Sequence, residues 1–176
     1  MRLALALGTA ALLFASVAQA ADRKIEDFVG RWIGSGQATQ GSTDTKVTQS
    51  RDAEVIVEKA ADGFKISWTT MSSSVDDGSK SKVKTSQLTF KKGKKPGVYT
   101  DVKSGDATEG KKTTWARLAG DALIITQLVI ADDGQWDVTV YERTLKDADH
   151  MNLAFKRITN GTIARQAALA MTRAKD

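Results

Sequence analysis

The stretch Asp27–Gln37, DFVGRWIGSGQ, decides how the rest of the chain is read. Gly30, Trp32, Gly34 and Gly36 stand two apart, and alternate residues of a strand point to the same side, so all four share one face. Glycine weakens a strand unless something must approach it closely. The end of a small barrel supplies that need: the strand bends sharply, the indole of Trp32 plugs the base, and neighbours without Cβ atoms leave it room. The stretch therefore predicts the first strand of a closed β-barrel, entered through a short helical turn in DRKIEDF.

Beyond it, short apolar–polar alternations recur about every ten residues, the pattern of an antiparallel barrel or sandwich rather than of βαβ units. The turns point the same way. AADGF (60–64), LAGDAL (118–123), ADDGQW (131–136) and ITNGTI (158–163) each set Gly beside Asp or Asn between β-prone runs. Asn160-Gly161 and Asp133-Gly134 are the strongest hairpin signals, because a type I′ turn needs positive φ at both central residues. KKGKKPG (91–97), with the only proline, is a further break, and SGDATEGKK (104–112) a longer loop. The fold expected is all-β, an up-and-down antiparallel barrel of about 8–10 strands.

Side-chain phase assigns an interior. Phe64, Ile66 and Trp68 share a face, as do Trp136, Val138 and Val140, and Met151, Leu153, Phe155 and Arg157. Arg157 so placed would stack on Trp32. In residues 122–131, ALIITQLVIA, both faces are apolar, so this strand is either covered outside or paired in an oligomer. Phase fails in KSKVKTSQLTF: Leu88 and Phe90 inside would bring Lys80, Lys82 and Lys84 inside too, so a bulge is expected near Ser86. In the tail, residues 162–176, the alanines favour helix and the preceding Asn-Gly turn favours a returning strand; strand is the expectation.

Residues 1–20, MRLALALGTAALLFASVAQA, read as a secretory signal peptide cleaved after Ala20: a basic start, an apolar run too short to span a bilayer, and a small-x-small end. That leaves one domain, 21–176, exported to a bacterial periplasm. The absence of cysteine excludes disulfide staples and a lipid-anchored form. With one histidine, His150, few nucleophile–base arrangements remain. Soft-metal sites lack ligands. The pairs Asp76-Asp77 and Asp132-Asp133 lack the further spaced oxygens of a calcium loop. No catalytic residue, metal or cofactor is assigned on these grounds.

The chain carries a formal +5, and the segment Lys80–Lys112 holds ten lysines against Asp101, Asp106 and Glu109. A basic side would attract an anionic envelope surface; the same lysines would equally guard exposed β-edges. Only Phe90 and Tyr99 are aromatic there, which argues against nucleic acid. If the barrel encloses a cavity, Trp68, Trp115, Trp136 and Tyr141 are its candidate lining. Arg117, on the face of Trp115, is the anchor for an acidic group. Otherwise these aromatics simply fill the barrel.

Gly30, Trp32 and Arg157, with the strands between them, resemble the lipocalin and wider calycin superfamily, in which an arginine packs across the tryptophan. The resemblance implies an up-and-down barrel that binds a small molecule. The longer run Gly30-x-Trp32-x-Gly34-x-Gly36 is similar to the nitrobindins, calycin-fold haem proteins with a histidine ligand near the C-terminus. That likeness implies His150 as the ligand and haem as cofactor; read from its neighbours Asp147 and Asp149, His150 instead sits in a polar turn. Three expectations follow: a periplasmic binding protein for a small apolar or acidic molecule, a filled barrel that meets the envelope through its lysines, or a haem protein.

Overall fold

The computed structural model describes residues 23–41, 47–73 and 81–175; the expected signal peptide, Asp76-Asp77 and Lys80 lie outside them. One helical turn, α1 (Ile25–Phe28), leads into β1 (Gly30–Gln40), β2 (Val47–Ala60), β3 (Gly63–Ser73), β4 (Ser81–Lys92) and β5 (Val98–Asp101). A 3-10 turn at Ala107–Glu109 precedes β6 (Thr113–Ala119), β7 (Ala122–Ile130), β8 (Trp136–Leu145), β9 (His150–Thr159) and β10 (Thr162–Arg173). Each strand pairs antiparallel with the next and β10 returns to β1, closing an all-β, ten-stranded up-and-down barrel. The tail is a strand.

The barrel has two unlike ends. Ile25 and Phe28 of α1 are buried at one end, below the β2–β3, β4–β5, β6–β7 and β8–β9 turns. The core lies there: Phe64 stacks on Phe90 at 4.8 Å between ring centroids and meets Tyr99 edge-on at 5.1 Å. Trp32, fully buried, donates its indole N–H to the Phe28 carbonyl at 2.9 Å and closes the base. At the opposite end the inward positions turn polar, with Gln49 and Arg51 on β2 and Lys82 and Lys84 on β4.

The glycines of β1 serve a closer neighbour than the indole. A Cβ on Gly34 would lie 2.0 Å from the Ala170 carbonyl oxygen, and one on Gly36 equally close to that of Ala168, because the backbone of β10 crosses there. Gly34→Ala is accordingly expected to lower stability by about 1–3 kcal/mol or more, as overpacking does, read from the urea midpoint at unchanged slope.

Several phase assignments are corrected. The arginine over Trp32 is Arg173, its guanidinium carbon 4.1 Å from the ring centroid. Arg157 does share the inward phase of Phe155, but β9 carries it to the open end, where it donates to Asp137. In β8 it is Tyr141 and Leu145 that join the core, so Trp136, Val138 and Val140 face outward. Polar inner positions near the mouth make the outer face of β8 the more apolar one, which misleads a reading by hydrophobicity. Together with Ile124, Leu128 and Ile130 of β7 these residues form a part-exposed apolar stripe.

No bulge occurs near Ser86: the β3–β4 ladder is continuous from Gly63↔Lys91 to Ser73↔Ser81, and Lys82 and Lys84 do point inward. The irregularity lies in β10, between Ile163 and Arg165. Asn160 and Gly161 both have positive φ, as a type I′ turn demands, whereas at the β7–β8 turn only Gly134 does. The lysines form no single basic side. Lys91, Lys92, Lys94 and Lys95 sit at the closed end and Lys82 and Lys84 at the mouth.

One weak seam interrupts the wall. β5 contributes only four residues, and its ladders span Phe90–Lys92 on β4 and Trp115–Arg117 on β6. Beyond Thr89, which accepts from the Val102 N–H, β4 has a strand partner on one side only among the described residues.

Candidate functional site: a buried arginine in a cationic barrel

Alternation along β8 places Arg143 between Tyr141 and Leu145 on the inner face. Its pairing partners, Leu123 on β7 and Leu153 on β9, are both buried and apolar. The side chain is completely buried, and among the described residues none of its three guanidinium nitrogens has a hydrogen-bond partner. Burial pulls its pKa down from the usual arginine value to about 10, so it stays charged at neutral pH. The only compensation is aromatic: the guanidinium carbon lies 5.6 Å from the ring centroids of both Trp68 and Tyr141. Tyr141 continues the cluster to Trp68 and Phe155, at 5.0 and 5.1 Å.

Such a charge is expensive. Burying an ion without partners costs several kcal/mol, and buried donors are otherwise nearly always satisfied. Arg143 lines a cavity of about 110 Å³ whose other walls include Val55, Trp68, Tyr141, Leu153, Phe155 and Leu169. Above it opens a vestibule of about 370 Å³, and Arg51, Thr70, Lys84 and Arg165 border both spaces. The described lining of the two spaces contains five cationic side chains, Arg51, Lys82, Lys84, Arg143 and Arg165, and no carboxylate. The Nε of Arg51 is itself buried without a partner. Desolvation and the charge of Arg165 both hold the Arg51 pKa below its usual value. The chemistry offered is a cationic barrel with an apolar, aromatic floor.

Of the residues predicted to line a cavity, Trp68 and Tyr141 do so. Trp115 and Arg117 alternate with the buried Thr114 and Ala116 and face outward, so Arg117 is not the inner cation. Trp136 is 36 % exposed at the start of β8. Arg143, Arg51, Arg165 and Lys84 were not anticipated, although β2 carries a usable signal: Arg51 is in phase with Ala53, Val55 and Val57. His150 is exposed at the start of β9, at the closed end, its Nδ1 2.9 Å from the Asp147 carboxylate. It lines neither space, so the residues present do not fit the haem that the nitrobindin likeness implied.

No family model matches the chain, and no curated protein matches it. Solved structures do. A protein of unknown function of the DUF3598 family from Nostoc punctiforme superposes with a TM-score of 0.55 at 14% identity, over 86% of this chain and 49% of that one. This chain therefore spans about half the length of that structure. Rv2717c from M. tuberculosis follows with a TM-score of 0.49, 14% identity and coverage of 86% and 95%. The S-type phycobiliprotein lyase of Guillardia theta has a TM-score of 0.42, 13% identity and coverage of 86% and 91%. What the chain shares with the DUF3598 structure is the barrel fold. Among the described residues, no helix is long and apolar enough to cross a membrane.

Proposed function

We propose that this chain is a periplasmic binding protein for a small organic acid, and that the acid group is taken into the barrel by Arg143. The observation that carries this reading is the buried, unpartnered guanidinium at the wall of an apolar cavity. A bound carboxylate would accept from it in the paired geometry guanidinium favours, and the aromatic floor of Trp68, Tyr141 and Phe155 would cover the apolar body. The expected leader at residues 1–20 supplies the export. Binding rather than catalysis is favoured because the described lining offers neither imidazole nor carboxylate as a general base.

The test compares 3-phenylpropionate with 3-phenylpropionamide by calorimetry and Trp68 fluorescence. The acid is expected to bind at least about tenfold more tightly, roughly 1.4 kcal/mol, and Arg143→Met to remove the difference. Equal affinities, or no binding of the acid, would overturn the reading. Native mass spectrometry of protein released from periplasm then identifies any resident acid by its added mass.

A further inference from the structure

We infer that the ligand carries two anionic groups, one held by Arg143 at the floor and the other by Arg51 and Arg165 at the rim, joined by a short apolar body. This inference rests on the reading of Arg143 as an anion anchor and adds a second anchor to it. The cavity is cationic at both levels: Arg143 lines the inner space, Arg51, Arg165 and Lys84 border both, and Lys82 stands in the vestibule. One carboxylate on Arg143 would leave the upper cations unanswered. The buried Nε of Arg51 has no partner, and the described lining supplies no acid to take that role.

The wall between the two levels is apolar or weakly polar: Ala53, Trp68, Thr70, Phe155 and Ala167. Arg143 lies against Trp68, while Arg51 pairs with Ser72, four residues farther along β3. That offset is about 13 Å of strand. Both side chains nevertheless line the same inner cavity, so the two anions they would hold lie closer together than that, within the span of a small α,ω-dicarboxylate. The guanidinium groups of Arg51 and Arg165 repel each other when the site is empty, and a shared anion converts that repulsion into two charge-assisted hydrogen-bonded pairs.

The experiment titrates wild-type protein with α,ω-dicarboxylates of four to ten carbons and with the matching monocarboxylates, by calorimetry at low salt. At the best length the diacid is expected to bind at least about tenfold more tightly than the monoacid. That ratio should fall to near one in Arg51→Gln/Arg165→Gln, and fall in part in the solvent-exposed pair Lys82→Gln/Lys84→Gln, which keeps the comparison open if the first variant folds poorly. Equal affinities in wild type would overturn the second anchor while leaving Arg143 as the first. A preference that survives in both variants would overturn it too, by placing the second anion elsewhere. If neither series binds wild type, the reading of Arg143 itself fails, and this inference with it.

Discussion

Replacing Arg143 with methionine is expected to raise the stability of the empty protein by about 1–4 kcal/mol, the gain seen when well-packed apolar groups replace buried charge, and to remove the preference for the acid over its amide. The two effects have one cause. In the empty barrel the guanidinium has lost water and gained only two aromatic faces, and methionine fills similar space without the charge. The pH dependence separates this cause from repacking. The folded-state pKa of Arg143 is lowered to about 10 by burial, so between that value and the higher pKa of an exposed arginine the unfolded chain binds more protons than the folded one. Stability must then rise with pH across that window as far as this group decides. Below pH 10 the penalty is fully present, roughly 3 kcal/mol by the usual conversion. The advantage of Arg143→Met over wild type should therefore be constant below pH 10 and shrink as the pH rises above it, measured by urea unfolding of both proteins side by side. A pH-independent advantage would assign the gain to packing.

Trp32→Ala is expected to cost about 3–5 kcal/mol, the range for truncating a buried large aromatic. It removes the plug, the hydrogen bond to Phe28 and the surface on which Arg173 lies. Arg173 ties several pieces together there: Nη1 donates to the Val29 carbonyl, Nη2 to that of Asp27 at 2.9 Å, and Nε to that of Ala148 at 2.8 Å. Arg173→Ala should cost about 1.5–3 kcal/mol. Because Trp32 and Arg173 touch, the double variant should lose less than the sum. Arg157→Ala, at an exposed ion pair, should change stability by no more than about 0.5–1 kcal/mol. Chemical denaturation of the four variants checks the set, and an Arg157 effect larger than that of Arg173 would contradict this account of the base.

The fold was legible because its markers are local. The Gly30–Gly36 spacing, the Asn160-Gly161 turn and the alternation of Phe64, Ile66 and Trp68 each state their structure within a few residues. The site was not, for a physical reason. Hydrophobic phase assumes an apolar inside, and this barrel is apolar inside only in its lower half. At the mouth the rule inverts, so Lys82 and Lys84 looked like a fault in β4 rather than the wall of a cationic vestibule. The outward Trp136, Val138 and Val140 drew the assignment of β8 one residue out of phase, which hid Arg143 on the wrong face. The assignment of Arg157 to Trp32 had a similar origin: Arg157 and Arg173 both have the inward phase, and only the register of β10 against β1 says which reaches Trp32.

The short β5 has a consequence for how the molecule breathes. Everywhere else neighbouring strands are laced over seven or more residue pairs, but here the ring is fastened by three on each side. Parting this clasp would break a handful of hydrogen bonds and leave the remaining ladders standing, a local excursion far below global unfolding in free energy. Amide protons of residues 98–101 should thus exchange ahead of those in β1 and β10.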